Sequence, residues 1–265
     1  VRIVQLSDLH FGTETPAVLE ALLAACAHIK PVLVLLSGDL TQRARRHEFD
    51  ACRQLIQQLA PAQVLAVPGN HDLPLFNVWH RFRAPYAGFQ RVFGWQLEPV
   101  FETPELLVVG VNTTDPRRHV DGHFDTHSVE QVAGKLQSSS AKLKLVVGHH
   151  PVDAVLASDE QNIAGGARAA MQRWCEVGMQ LYLAGHIHYP FFAPLSRRYP
   201  DLPDQAWTVQ AGTAISTRTR DGKPNSFNLI DADLEKRVLS LTRWDFNAES
   251  GRFDPAEQVQ LPLGV

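Results

Sequence analysis

Three cysteines, Cys26, Cys52 and Cys175, are the only thiols among the 265 residues. Odd in number and widely spaced, they argue against a disulfide framework and for free thiols. Two of them fall within apolar patterns of helical spacing, which suits buried thiols in a reducing compartment, the cytoplasm. No window approaches the run of about 18 apolar residues that a membrane span requires. Residues 1–6 read as a strand and not as a signal peptide, while the missing initiator methionine leaves upstream processing open. No block of lysine and arginine is longer than a pair, and the net charge is −3. That argues against an electrostatic footprint for duplex nucleic acid and leaves room only for a local basic mouth.

What remains is an ordinary globular composition, 45% hydrophobic and 20% charged, able to bury a substantial core. The length suits one generous α/β domain or two small ones. With no linker, low-complexity tract or internal repeat in view, a single domain over residues 1–265 is the better count. The first two-thirds alternates strand and helix. Residues 3–6, 32–36, 64–67, 106–111, 143–147 and 181–184 are short aliphatic runs, the signature of strands covered on both faces. Between them, Leu19, Leu22, Leu23 and Cys26, and then Phe49, Cys52, Leu55, Ile56 and Leu59, recur at helical spacing. Thr15-Pro16 offers an N-cap followed by proline at the first helical position. Residues 128–136 and 167–177 read as further helices, and residues 73–99 as short helices and loops. After residue 190, runs at 207–210, 227–230 and 238–244 look like strands of a second sheet packed on the first. Such alternation predicts mainly parallel pairing with right-handed crossovers, and ligands then collect beyond the carboxyl ends of the strands.

Five polar fragments sit at those strand ends. They read Asp8-Leu9-His10, Gly38-Asp39, Gly69-Asn70-His71-Asp72, Gly148-His149-His150 and Gly185-His186-Ile187-His188. Taken singly, each has a bland reading: a chance pair, a turn, a cap, a polar loop. Taken in order, each after an aliphatic run, they offer oxygen and imidazole donors enough for two metal ions. Asp8 and His10, like His186 and His188, are two residues apart, so in extended backbone their side chains share one side. Asp39 after Gly38 is a short carboxylate suited to bridging, Asn70 offers an amide oxygen, and His149 adds an imidazole. Donors of this kind without cysteine suit Mn²⁺, Fe²⁺/Fe³⁺ or Zn²⁺, and fit calcium or soft copper sites poorly.

The order D-x-H, GD, GNHD, GHH and GHxH resembles the calcineurin-like metallophosphoesterase superfamily, over residues 8 to 188. Ser7-Asp8-Leu9-His10 and Gly38-Asp39-Leu40-Thr41-Gln42 are most similar to its compact bacterial phosphodiesterase branch, which includes class III cyclic nucleotide phosphodiesterases and glycerophosphodiesterases. The resemblance implies an α/β fold of two packed mixed β-sheets flanked by helices, a four-layer αββα sandwich. It implies that Asp8, His10 and His188 hold one metal, that Asn70, His149 and His186 hold the other, and that Asp39 bridges them. His71 would face the phosphate, beside Asn70, and help the leaving group, with Asp72 orienting its ring by a hydrogen bond. The implied activity is hydrolysis of a small phosphodiester by water activated between two cations.

Other hydrolases stay open. One alternative is a phosphomonoesterase, including a protein phosphatase; protein phosphatases carry GDxVDRG, and residues 38–44 read GDLTQRA, which keeps Arg43 but departs at Gln42 and Ala44. A lipid-A precursor pyrophosphatase would typically have GNRD, and a recombination nuclease a longer and more basic chain. A non-catalytic scaffold is the contrasting class, which the intact ligand set disfavours. His119, His123 and His127 recur at four-residue steps, but Pro116 and Gly122 favour a loop over a third metal site. Arg218 and Arg220 are candidates to touch an anionic substrate or to serve as salt-bridge partners. His28 and His47 read as surface residues on helices, and Phe76, Trp79 and His80 as lining for the mouth or as core.

Overall fold

In the computed structural model, which describes residues 1–75 and 78–263, the aliphatic runs become strands of two mixed sheets. The first contains β1 (Arg2–Leu6), β2 (Leu33–Ser37) and β3 (Gln63–Val67), parallel to one another. The second contains β4 (Val100–Glu102), β5 (Leu106–Gly110), β6 (Leu143–Val147), β7 (Leu181–Ala184), β8 (Phe191–Pro194) and β9 (Trp207–Gln210). Its order is β4-β5-β6-β7-β9-β8, with β5, β6, β7 and β9 parallel.

Strict alternation along each strand explains the layering. Ile3, Leu33, Leu35, Leu65, Leu145 and Leu183 meet in one apolar cluster between the sheets. Their neighbours Val4, Leu6, Val34, Leu36 and Ala66 face the other way, against α1 (Pro16–Ile29) and α2 (Arg46–Gln58). On the far side, Val109, Val146, Tyr182 and Ala184 pack on α5 (Thr126–Ser138) and α6 (Ala167–Glu176). A side chain points to alternate faces at every step, so a strand apolar at every position is one sandwiched between two layers. The result is helix, sheet, sheet, helix.

Each long helix reads from its sequence. Val18, Leu22, Cys26 and Ile29 line one side of α1 at steps of three and four. Asp125 caps α5, its carboxylate accepting from the amides of His127 and Ser128. Thr15 does occupy the N-cap position of α1 with Pro16 behind it, but its side chain makes no capping bond. Two short helices, α3 (Val78–Arg83) and α4 (Ala87–Phe93), fill the proline-rich stretch.

The C-terminal third departs from expectation. Of the three runs expected after residue 190, only that of β9 joins the second sheet; β10 (Ser226–Asp233), β11 (Val238–Asn247) and β12 (Arg252–Pro262) extend the first, in the order β12-β11-β10-β1-β2-β3. The pairing of β10 with β1 is antiparallel, with Val4 opposite Leu229. β12 went unread because most of its residues face water and show no apolar alternation. Polar side chains also stitch the two sheets together just beneath the strand ends. Gln5 of β1 donates to the Ala184 carbonyl at 3.0 Å and to Ser37 Oγ at 3.1 Å, and accepts from Asn228 at 3.0 Å. Asn228 also donates across the seam to the Gln210 carbonyl at 3.4 Å. Among the described residues no helix is long and apolar enough to cross a membrane.

The three cysteines form no disulfide. Burial pushes the Cys26 thiol up to about 12; burial and the Asp72 charge push Cys52 higher still, and burial with Glu176 takes Cys175 to about 12. The thiolate is the reactive form. Native protein in mildly alkaline buffer should therefore react sluggishly with a thiol-exchange reagent at all three positions, and rapidly once unfolded. Prompt colour from folded protein would contradict this packing.

Candidate metal centre

All five sequence fragments lie at the carboxyl ends of parallel strands, three on one sheet and two on the other. Asp8 and His10 follow β1, Asp39 follows β2, and Asn70 and His71 follow β3; His149 follows β6, while His186 and His188 follow β7. Backbone bonds carry the pairing of β1 and β2 outward into their loops: the His10 amide donates to the Asp39 carbonyl at 3.0 Å, and the Phe11 amide to Leu40 at 2.9 Å. Asp8, His10, Asp39, His186 and His188 all have positive φ, between 44° and 75°. A left-handed residue at the exit turns its side chain inward instead of letting it run on along the strand, at a cost of about 1–3 kcal/mol each. Glycine is demanded beside them by sterics. A Cβ on Gly69 would lie 2.1 Å from the Asp39 amide nitrogen, and one on Gly185 would strike Ser7 Oγ at 1.9 Å.

The seven side chains converge on two adjoining groups of donor atoms. In one, His188 Nε2 lies 3.1 Å from both His10 Nε2 and Asp8 Oδ1, and His10 Nε2 lies 3.7 Å from Asp39 Oδ2. In the other, Asn70 Oδ1 lies 3.2 Å from His149 Nε2 and 3.1 Å from His186 Nδ1, and His149 Nε2 lies 3.3 Å from Asp39 Oδ1. Bonds of roughly 2.1 Å to a tetrahedral or octahedral cation put neighbouring donors about 3.0–3.5 Å apart. The spacing and the nitrogen–oxygen donor set both fit transition cations. Asp39 presents one oxygen to each group.

Neighbouring bonds fix which atom of each side chain faces inward. His149 Nδ1 donates to the Ser37 carbonyl at 2.9 Å and His188 Nδ1 to the Arg218 carbonyl at 2.6 Å, which leaves each Nε2 aimed at the centre. Asp8 Oδ2 accepts from Ser7 Oγ at 2.7 Å, the His186 amide is shared between Oδ2 at 3.0 Å and Oδ1 at 3.2 Å, and Oδ1 faces His188 Nε2 in the centre. Burial raises the Asp8 carboxyl, but the imidazole of His188 outweighs it and leaves the group at about 2. Burial acts on Asp39 likewise, and His149 and His71 hold it well below the usual carboxylate range. Burial drives His10 and His186 down to about 3. Burial opposes a proton on His149 too, yet the Asp39 carboxylate beside it prevails and lifts it to about 9.

Asp72 is not where the sequence placed it. Its carboxylate accepts from the amides of Gly69 and Thr41 (both 2.9 Å) and Leu40 (3.2 Å), and from Thr41 Oγ1 at 2.9 Å. It braces the β3 loop against the β2 loop and does not orient the His71 ring. The main-chain carbonyl of Gln42 has that task, accepting from His71 Nδ1 at 2.8 Å. His150 lies against the His149 and His186 rings, yet both its nitrogens are used. Nε2 donates to the Val120 carbonyl at 2.9 Å, so Nδ1, 2.7 Å from Thr113 Oγ1, accepts. It ties the loop bearing Val120 to the centre and is not a donor to a cation.

A cavity of about 510 Å³ opens over the centre, lined by Asp39, Asn70, His71, His186, His188 and Arg218 among others. Arg220 also lines it but pairs with buried Asp159. Arg43 is exposed and outside this lining. His119, His123 and His127 are exposed; the first two lie in a loop, the third in the first turn of α5, bonded to Gln131 at 3.0 Å. His28 and His47 are exposed on α1 and α2, and Trp79 and His80 on α3, while Phe76 falls outside the described residues. A groove of about 690 Å³ at the opposite ends of β6, β7 and β9 carries Lys142, Lys144 and Arg237 but, among the described residues, no such cluster of donors.

A family model described as calcineurin-like phosphoesterase matches residues 1–190. A probable cyclic nucleotide phosphodiesterase from Synechococcus sp. is 25% identical over 199 residues, 71% of this chain and 74% of that protein. Another so named, from Vesicomyosocius okutanii, is 22% identical over 156 residues, 56% of this chain and 61% of its own length. Among solved structures, a purple acid phosphatase from yellow lupin superposes with a TM-score of 0.70 at 12% identity, covering 98% of this chain and 53% of its own. A Vps29 variant from Entamoeba histolytica gives 0.52 at 14% identity, covering 98% and 99%. These two likenesses are of fold.

Cation binding requires a free imidazole lone pair. Below pH about 9 the proton that Asp39 holds on His149 must leave first. Calorimetric titration with Mn²⁺ or Zn²⁺ in buffers of different ionisation enthalpy should show proton release near neutral pH that fades as about pH 9 is approached, with affinity rising over the same interval. Uptake without proton release would remove His149 from the donor set.

Proposed function

The chain belongs to the calcineurin-like phosphoesterase family, and from that premise we propose that it is a two-cation phosphoric ester hydrolase whose substrates are small phosphodiesters, cyclic nucleotides first among them. The observation that carries this reading is the Asp39 carboxylate, one oxygen toward each donor group. Asp8, His10 and His188 would hold one cation and Asn70, His149 and His186 the other, with Asp39 shared; Mn, Fe or Zn suits such donors. The cations would supply Lewis acidity toward phosphoryl oxygens and lower the pKa of water.

The chain's own side chains do the rest. Gln42 holds the His71 ring so that Nε2 faces the cavity; there it accepts from Arg218 Nη1 at 3.1 Å, and once protonated in place of that contact it would pass the proton to the departing alkoxide. Asn70 and His71 line the floor against which the phosphoryl group rests. A cavity of about 510 Å³ is of the size that holds a mononucleotide-scale ligand. The names of the two bacterial relatives support cyclic nucleotides as substrates. The protein-phosphatase alternative leaned on Arg43, whose exposed position outside the cavity lining gives it no support.

Replacing His71 with alanine should slow diesters of poor leaving groups by roughly 10²–10⁴-fold and nitrophenyl diesters far less. Equal losses on both would take the acid role from His71. Asp39→Asn should lower bound metal, read by elemental analysis, together with turnover. A panel of cyclic AMP, 2′,3′-cyclic AMP, glycerophosphodiesters and phosphomonoesters on Mn²⁺-loaded protein, ranked by kcat/KM, tests the substrate class. A monoester at the head of that ranking would displace the diesterase reading.

A further inference from the structure

We propose that Arg218 is a phosphoryl-binding residue of this site, its guanidinium gripping the non-bridging oxygens of the ester beside His71; the assignment rests on the phosphoester reading above. Arg218 and Arg220 both line the cavity, and their partners separate them. Arg220 is spent on structure: Nη1 pairs with buried Asp159 at 2.6 Å, Nη2 reaches Ser158 Oγ at 3.1 Å, and Nε lies 3.5 Å from Asp221. Arg218 has no carboxylate partner among the described residues. Its Nη1 lies 3.1 Å from His71 Nε2, 3.2 Å from Gln42 Oε1 and 3.4 Å from His10 Nδ1. Nε and Nη2 make no hydrogen bond among the described residues, so an edge of the guanidinium fork remains for an incoming oxyanion.

Charge makes the same case. Asp8 and Asp39 are the anionic members of the seven donors. Two divalent cations would leave two positive charges there, and Arg218 adds a third. A guanidinium beside two imidazoles and two cations is costly unless an anion completes the group, and a phosphoester is such an anion. The loop that carries Arg218 is also built to hold it still. Thr213 Oγ1 lies 2.6 Å from both the Asp8 carbonyl and Ser216 Oγ, the latter accepting from the Arg218 amide at 3.2 Å. Asn225 donates to the Ser216 carbonyl at 2.8 Å, and the Thr217 amide to Thr13 at 2.9 Å. The Arg218 carbonyl orients His188 while the side chain reaches toward His71, so one residue aligns a metal donor and presents a planar fork to phosphate.

The test is the affinity of metal-loaded protein for inorganic phosphate, by calorimetry or ³¹P NMR, beside diester kinetics. Arg218→Ala should bind phosphate roughly 10- to 100-fold more weakly at unchanged metal content. Arg218→Lys should fall between, and millimolar guanidinium should restore part of the alanine variant's binding. In kinetics KM should rise more than kcat falls, because the charge is met in ground and transition states alike. If Arg218→Ala holds less metal, Arg218→Lys against Arg218→Gln at matched metal content decides instead. Phosphate affinity within about twofold of wild type at full metal content overturns the proposal. Wild-type protein that hydrolyses diesters while its phosphate affinity ignores Arg218 keeps the hydrolase reading and loses this one. Wild type that binds phosphate through Arg218 yet cleaves no ester does the reverse.

Discussion

Two carboxylates that water scarcely reaches, Asp8 and Asp39, must be met by positive charge, and the architecture of the site follows from that demand. Their relative exposures are 0% and 2%. An unpaired buried charge costs several kcal/mol, more than any single packing contact returns. His149 and His188, each with its outer nitrogen tied to a carbonyl, face these carboxylates and hold protons more firmly for it. A proton in such a place and a cation are alternatives. The left-handed turns at the strand exits persist because their surroundings leave no other course: Asp72 pins one loop to the next, and glycines admit neighbours where no Cβ would fit.

The side chains that converge at the candidate centre were legible in the sequence because each follows a strand that is apolar on both faces, so the strand's end is sharply marked. The layering was legible for the same reason, from the aliphatic runs of β1, β2, β6 and β7. What escaped did so for physical causes. Gln42 orients His71 through a main-chain carbonyl, which every residue type possesses, so no side-chain signal announces it. The family resemblance implies that Asp72 orients His71, but its carboxylate turns back to amides of the Gly38–Gln42 stretch and Gly69. The choice between Arg218 and Arg220 depends on Asp159, about sixty residues away, and nothing local marks that pairing. β12 stayed hidden because an edge strand facing water need not alternate.

The same layered scaffold superposes on a phosphatase and on Vps29, so the fold alone does not name a reaction. What narrows this chain is the donor constellation and the residues that aim it. His150 illustrates the difference between presence and role: an imidazole among imidazoles, with both nitrogens committed elsewhere.

The donor set is divided between the two sheets, four members on one and three on the other. Apolar packing between sheets resists separation but is nearly indifferent to lateral slip, since it has no directional preference. The belt of Gln5, Asn228 and Gln210 supplies direction: Gln5 donates to the Ala184 carbonyl and Asn228 to the Gln210 carbonyl across the seam, just below the strand ends. It works as a vernier between the halves of the site. An offset of one ångström there would travel undiminished to the imidazoles, so changes in reactivity can arise from amides that never meet the ester.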